Sequence, residues 1–573
     1  MAISEGERIF LTKLNKMWDE GVNYREKQSK GWKDAIEVMK GNTWPDRRPK
    51  YKVNAVMNFL AQVVERKAAI LTDSKPTMNV LARKEGLDNV ASILLKVIQS
   101  ILEGLNFEQR LTEFVMLEEY FGIAYTNTCW DKALDHGRGD IDLVILDPRT
   151  CVIDPFVSRA YNLNNGEYFG YETVRPTDFL KDKYHERADD IKADFGTDLR
   201  VKEDSVIGKI RTFISGKSAT EVPSSVIPRS VVRSMWVRDR LTKKDAKLVY
   251  PNWRQVTIAG GCIVADGTNP YLDGNLSVDG MEWGFNVDSA YGTNEVSLLE
   301  NPQIMFNKLL AVVLENATLT GNNIWIGDQD ALTEEGWKRL TNEPGSYVKK
   351  RPGKELRREP PPQMPTYINN ILTLLIQGIE KLSGVTEVTE GRKPGQVTSG
   401  VAIETLALMA QTTIRLRARQ LEALIQRIGQ KLISRIFQHY TEDRVFNLTG
   451  DGQKFVQFVL KRNEIREALI KAGSSPLTAF QDFQFKVVPS SSLAITKWQK
   501  GLVATQLYGM GIIDDEEVLQ ALEWANREEV IKRTKEKQAS GKLPLPGKGG
   551  KLPKSMLRGG HKETGMQQPQ IGK

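Results

Sequence analysis

The sequence predicts an α+β fold, mainly helical, and three observations predict it. The first is a pair of helix patterns of matched length. Asn301 is a plausible N-cap with Pro302 at the first helical position, Met305, Leu309, Val312 and Val313 follow at helical spacing, and Gly321 stops the run. Thr366 caps the second pattern after Pro365. Its face is Ile368, Ile371, Leu372, Leu375, Ile379 and Leu382, and Gly384 closes it. The two are 19 and 17 residues long, about 29 and 26 Å at 1.5 Å per residue, so they suit an antiparallel pair. The second observation is an unbroken helical pattern from Val401 to Tyr440, with Leu406, Met409, Leu421, Leu424, Ile425, Ile428, Leu432 and Ile436 on its apolar side. The third is a change of period at Gly122, where helical spacing gives way to the strand-like runs Ile123–Trp130, Asp140–Leu146 and Thr150–Ile153.

Composition sets the frame. A chain of 573 residues, 40% hydrophobic and 27% charged, has enough apolar surface for several domains with a sizeable core. No apolar run reaches the length of a membrane span, and the opening MAISEGERIF lacks the pattern of a secretory signal. Three widely separated cysteines, Cys129, Cys151 and Cys262, suit buried reduced thiols better than a disulfide framework. Of 80 basic and 72 acidic residues, 11 and 2 lie from Ile531 onward. The first 530 residues therefore hold 69 and 70, a near-neutral body, and the excess positive charge sits in a tail rich in Gly, Pro and Lys. Such a tail suits a local polyanion contact, and its composition predicts disorder.

Taken in order, the chain opens with two helices, Glu7–Asn23 and Lys27–Lys40, ended by Gly41 in GNTWP, with Trp18, Trp32 and Trp44 as core anchors of a helical hairpin. Asn54–Leu71, Leu87–Glu103 and Phe107–Phe121 are further helices, with a short strand in SKPTMNVLA. After the first strands, Tyr168–Val174 is a strand and Pro176-Thr177-Asp178 starts a short helix. Lys181–Val222 is an irregular insertion. Ser230–Arg240, Ala246–Tyr250 and Gln255–Val264 are strands of a meander, and Met281–Val287 leads into the helix pair. Between the paired helices, 322–364 forms a small module: Ile324-Trp325-Ile326, a capped turn at Thr333, then the basic return KKRPGKELRREPPPQMP. Past the long helix, Asp443–Lys454 is turn-like, Gln457–Gly473 holds a helix and Phe483–Val488 is a strand. Two helices then follow, the second opened by a capping-box-like Asp514 and Glu517.

Signals for chemistry are sparse. GRKPGQVTSG and GKGGKLPKS both miss the spacing of a phosphate-binding P-loop, which argues against an ATPase motor. Four dispersed histidines, no Cys-x-x-Cys and no H-E-x-x-H leave no metal-site pattern, no G-x-S-x-G appears, and no cofactor is expected. DGTNPYLDGNLSVDG lacks the glycine and closing Glu of a calcium loop. Asp514-Asp515-Glu516-Glu517 reads as favourable helix-start charge. Two basic groups stand out. Lys349, Lys350, Arg351, Lys354, Arg357 and Arg358 form either a solvated turn or a contact surface. Arg415, Arg417, Arg419, Arg427, Lys431 and Arg435 on the long helix serve salt bridges, subunit contacts or DNA proximity.

The order helix, small module, helix, polar loop, long helix resembles the portal (head-to-tail connector) proteins of tailed bacteriophages, as do the Gly-Asn-x-Trp turn near the N-terminus and the C-terminal helical hairpin. The resemblance covers the chain to about Lys537, apart from residues 160–230. It implies a portal-like fold with wing, stem, clip and crown regions. Residues 1–296 would be an N-terminal wing, 297–321 the first stem helix, 322–365 a clip, 366–384 the second stem helix and 385–399 a tunnel loop. The long inner helix and return to the wing would be 400–456, the C-terminal wing and crown helices 457–537, and a basic tail 538–573. It implies a non-enzymatic homo-oligomeric ring, usually a dodecamer, at one capsid vertex of the virion, assembled in the bacterial host cytoplasm. Double-stranded DNA would pass through the channel during packaging and ejection. The terminase large subunit, the major capsid and scaffolding proteins and head-to-tail adaptors would be partners, and no membrane would be involved. On this reading Arg392, Lys393, Gln396 and Thr398 of the tunnel loop face the DNA channel, and the six cations from Lys349 to Arg358 form the terminase and adaptor docking surface. The competing readings are a DNA-processing nuclease, which needs clustered carboxylates for Mg²⁺, and a non-ring scaffold with a nucleic-acid-binding tail.

Overall fold

The apolar positions Leu14, Trp18, Trp32, Ala35 and Val38 fall on one face of a single helix, α1 (Glu5–Met39), and that face organises the N-terminal half. The expected break near Asn23 is absent. Gly21 stays helical because it lies under β4 (Cys151–Ile153), where an added Cβ would come within 2.9 Å of the Val152 Cβ, so this glycine serves close approach rather than a turn. The helical hairpin of the sequence reading is thus one rod, about 52 Å long, carrying both Trp18 and Trp32. The computed structural model describes residues 5–44, 52–73, 76–194, 227–244, 247–321, 324–338, 347–359, 367–384, 412–449, 455–476 and 478–488, single residues 49, 340 and 365, and short pieces between 501 and 519.

After α1 come α2 (Phe59–Thr72), β1 (Met78–Ala82), α3 (Asp88–Gly104) and α4 (Phe107–Phe121). Helix α2 starts five residues later than the pattern suggests, because the Asn58 side chain accepts the Ala61 amide and caps it there. The β-rich part follows: β2 (Ile123–Asp131), β3 (Asp140–Leu146), β4, β5 (Tyr168–Pro176), the short α5 (Thr177–Lys183), β6 (Arg229–Val237), the two-residue pair β7 (Lys243–Lys244) and β8 (Lys247–Leu248), β9 (Arg254–Ala259), β10 (Cys262–Thr268) and β11 (Val278–Glu282). Five strands form an antiparallel sheet in the order β10-β9-β6-β5-β4, and three form a second in the order β11-β2-β3. The single strand expected over Gln255–Val264 is two strands. Gly260 and Gly261 take φ of 56° and 84°, the left-handed pair that a tight two-residue hairpin demands, and apolar periodicity runs straight through such a turn.

One face of the five-stranded sheet receives Leu14 and Trp18 of α1 against Val152, Tyr168, Met235, Val256 and Ile258. A second core joins the two sheets through Trp32, Phe121, Tyr125, Phe169, Trp236 and Tyr291, and the Trp32 indole N–H donates to the Phe121 carbonyl at 2.8 Å. All three cysteines are unpaired, Cys151 and Cys262 within the core.

The central helices are α6 (Glu295–Gly321), α8 (Tyr367–Ser383) and α9 (Thr412–His439). The module between α6 and α8 holds β12 (Ile324–Gly327), α7 (Glu334–Lys338) and β13 (Leu356–Glu359). Helix α6 starts seven residues before the expected Pro302. Asn294 accepts the Ser297 amide at 2.6 Å and is the real cap, and Pro302 sits inside the helix. Helix α9 packs on β16 (Phe483–Val487), which pairs with β1, and on β11. The stretch expected to be a turn after α9 is a hairpin, β14 (Arg444–Thr449) with β15 (Phe455–Leu460), followed by α10 (Arg462–Lys471).

The chain divides into two units, the first comprising Met1–Phe446 with Phe458–Ser492 and the second Asn447–Gln457 with Leu493–Lys573. In the second unit, a helical turn ends at Gly511, with the Ile512 amide donating to Leu507 and the Gly511 amide to Tyr508. The next begins where Asp514 accepts the Glu517 amide at 2.9 Å, the capping pair the sequence suggests.

Candidate functional site

Three features of the first unit concern function: the inserted module, the helix pair that carries it and the long helix α9. In the module, β12 and β13 pair antiparallel with Trp325 opposite Arg358 and Ile326 opposite Arg357. The Arg358 guanidinium lies 4.5 Å from the centroid of the Trp325 ring, a cation–π contact. Asp328 ties the strands to the return. Its amide donates to the Glu355 carbonyl and its carboxylate accepts the Glu355 amide, both at 3.0 Å.

The six cations of the basic return are not equivalent. Arg357 lies 3.5 Å from Glu359 and 3.9 Å from Glu355, and Lys354 lies 3.8 Å from Asp330. Lys349, Lys350 and Arg351 are exposed and have no acidic partner among the described residues. Arg351 is held through its backbone, whose amide donates to the Ala331 carbonyl at 3.0 Å. Among the six cations of the basic return, those without a carboxylate or ring partner in the described residues are therefore these three consecutive ones, next to exposed Tyr347.

The helix pair is apolar on the wrong side for a lone chain. On α6, Leu298, Met305 and Val312 recur every seven residues and are 51%, 57% and 48% exposed. On α8, Tyr367, Ile371, Leu374 and Leu382 form a similar row, with Leu374 66% exposed. Among the described residues neither row joins a hydrophobic core cluster, whereas the opposite side of the pair packs Val296, Leu299 and Ile379 against α1 and α2. Sequence periodicity located these apolar positions and could not tell which side stays open. It also passed over Gln303 and Asn307, buried polar residues whose side chains bind the backbone of Met57 and Phe59 and fix α6 against the start of α2.

On α9, Lys431 lies 2.7 Å and Arg427 3.5 Å from Asp279, and Arg435 lies 2.5 Å from Asp273. Burial lowers the Lys431 ammonium while Asp279 draws it back up. Three of the six basic residues thus serve internal ion pairs, and these are structural. Arg417 points inward over Trp283, at 4.9 Å. Arg415 and Arg419 have no acidic partner among the described residues. Beside α9 is a cavity of about 730 Å³ lined by Arg83, Asn275, Gln426, Gln481 and Gln484 together with the Asp279 ion pairs. Nothing in the sequence pointed to it. The expected channel residues Arg392, Lys393, Gln396 and Thr398 lie outside the described residues, as do 401–411 of the long-helix pattern, 195–226 of the insertion and the tail from 538. Among the described residues no group of His, Cys, Asp or Glu is placed to hold a metal ion, and no single helix is long and apolar enough to cross a membrane.

A family model described as Phage P22-like portal protein matches residues 32–544, spanning the end of α1, both sheets, the helix pair with its module, and α9. The chain belongs to that family. It is a portal protein of a bacteriophage, a component of the capsid vertex and head–tail connector that serves genome packaging. No curated protein matches the chain. Portal proteins are structural, and they act as homo-oligomeric rings associated with capsid, terminase and adaptor proteins.

Proposed function

We propose that this portal protein closes into a dodecameric ring through heterologous contacts, with α6 and α8 as the two stem helices. The observation that carries the reading is the pair of open apolar rows, Leu298–Met305–Val312 and Tyr367–Ile371–Leu374–Leu382. They lie on two different helices and run over 15 and 16 residues, roughly 21 and 23 Å from first to last at 1.5 Å per step. A heterologous ring needs two different faces on one subunit that fit each other, and rows of equal length meet that need. Residues 322–365 would then be the clip, whose free cations Lys349, Lys350 and Arg351 dock the terminase large subunit and afterwards the tail adaptors. The tunnel loop 385–399, with Arg392, Lys393, Gln396 and Thr398, would face double-stranded DNA. Residues 1–296 and 457–537 would form wing and crown against the major capsid and scaffolding proteins, and assembly would take place in the host cytoplasm without catalysis by the ring itself. The test is native mass spectrometry of the purified chain beside the double variant Met305→Glu, Leu374→Glu. The reading expects a closed ring from the first and monomers from the second, with unchanged circular dichroism. Monomers from the unaltered chain, or rings from the variant, would overturn it.

A further inference from the structure

A cluster of buried charges lies where α2, α4, β11, α6 and α9 converge. Glu118 and Glu119 are adjacent on α4 and fully buried, and none of their four carboxylate oxygens has a hydrogen-bond partner. Glu295, the first residue of α6, lies 2.6 Å from Lys67 of α2, with both side chains buried, and accepts the Trp283 indole N–H at 3.2 Å. Glu282 ends β11, is buried, and accepts the Ala160 amide. The cation that α9 contributes is Arg417. Its guanidinium lies over Trp283, its Nε is buried without a partner, and one Nη donates to Gln420 at 3.0 Å.

We propose that Arg417, Trp283 and the carboxylates of Glu118, Glu119 and Glu295 form a pH-sensitive latch that holds the first turns of α9 on α4 and on the head of α6. The charge count decides the direction. Glu118, Glu119, Glu282 and Glu295 face two cations, Lys67 and Arg417, and Lys67 is already taken by Glu295. Glu282 is drawn down besides by Arg159 and Arg427. If Glu118 and Glu119 both ionised, Arg417 could balance only one of them. An unpaired buried carboxylate costs several kcal/mol, so the closed cluster keeps protons on α4.

The titration agrees. Burial raises the carboxyls of both Glu118 and Glu119 well above the usual range. Arg417 opposes this for Glu118, and Lys67 opposes it more strongly than Arg417 for Glu119. A carboxyl raised in the folded state binds a proton that the opened state releases. The closed form is therefore favoured at low pH and loses stability as pH climbs through the raised range. The latch thus opens on the alkaline side. The device is independent of which helices make the ring contact, because every group named here belongs to one chain.

The test is amide hydrogen exchange across Ile414–Gln420 in the full-length assembled protein, followed from neutral to alkaline pH and corrected for intrinsic exchange. Protection in the unaltered protein should fall by up to about tenfold per pH unit for each carboxyl that is protonated when closed and ionised when open, and should level off once the closed form itself releases those protons. The double variant Glu118→Gln, Glu119→Gln should keep its protection flat across the same range. Arg417→Met should be poorly protected at every pH, and Arg417→Lys should restore a pH-dependent profile. Circular dichroism checks that each variant is folded. Flat protection in the unaltered protein, an undiminished pH dependence in the Gln variant, or Arg417→Met behaving like the unaltered chain would each overturn the latch.

Discussion

The guanidinium of Arg435 is fully buried on α9, lies 2.5 Å from the Asp273 carboxylate and stacks 3.6 Å from the centroid of the Tyr271 ring. This contact fastens the long helix to the loop that leads into β11. Removing one partner leaves the other charge buried and alone, which costs about 3–5 kcal/mol. Arg435→Met should therefore lower the denaturation midpoint sharply. The double variant Arg435→Met, Asp273→Asn should recover most of the loss, because replacing a buried pair by neutral groups of similar volume is far cheaper. Urea unfolding of all three proteins, followed by tryptophan fluorescence, measures both effects. Equal destabilisation of the single and double variants would show that Tyr271 packing, and not the ion pair, does the fastening.

The sequence made the helix-rich centre legible because long apolar repeats carry their own period. Phe107–Phe121 and the helix ending at Gly384 emerged as expected. Boundaries failed where a polar side chain acts at a distance. Asn294 outcompetes Asn301 as a cap, and Gly21 packs where a break was expected. For the candidate site, the six cations of the module could be named from sequence alone. Their division into three paired or stacked residues and three free ones depends on Asp330, Glu355, Glu359 and Trp325, which only the strand register brings into reach.

His439 gives a pH-dependent prediction of the opposite sense to the latch. Its ring stacks on Trp130 at 4.5 Å, and burial, with Arg435 and Lys132 nearby, lowers its pKa to about 4. The unfolded chain binds a proton near the ordinary histidine value of about 6.5, which the folded chain refuses until about 4. Stability is thus complete above the ordinary value and falls as pH drops through that window. His439→Phe keeps the stack and removes the titration, so its melting temperature should fall less between neutral and mildly acidic pH. Identical acid sensitivity in the two proteins would assign the effect to other groups.

The module makes a sharper prediction than its composition did. Reversing Lys349, Lys350 and Arg351 to Glu should leave folding and rings intact while abolishing DNA packaging in a reconstituted assay with the motor. Arg357→Gln should change packaging little, since that side chain is engaged by Glu355 and Glu359. Arg358→Ala should loosen the β12–β13 pair through loss of the Trp325 contact. Normal packaging by the triple reversal would make the basic return a solvated turn. Packaging lost equally by Arg357→Gln would mean that fold integrity, and not free charge, is what the motor senses.

The segment from Val385 to Ser399 joins α8 to the long-helix pattern, and its composition suits contact with sliding DNA. Gly391 and Gly395 permit backbone shapes closed to other residues, while Pro394 restricts the position between them. Arg392 and Lys393 are its only cations, and Glu387 and Glu390 precede them. Attraction for phosphate is therefore local and partly cancelled, and a backbone contact of this kind carries no sequence preference. A channel that must let DNA move gains from such shallow attraction, since a deep well would stall it. Removing Arg392 to Gln396 should leave the helix pair and ring assembly unchanged, because Arg-Lys-Pro-Gly-Gln offers no large apolar side chain. Retention of DNA in filled heads should fall, and fall further at raised ionic strength, where the remaining attraction is screened. Packaging motors and filled-head counts can be followed in the same reconstituted system. Retention equal to that of the unaltered protein at both salt concentrations would show that the segment is an ordinary helix–helix connection.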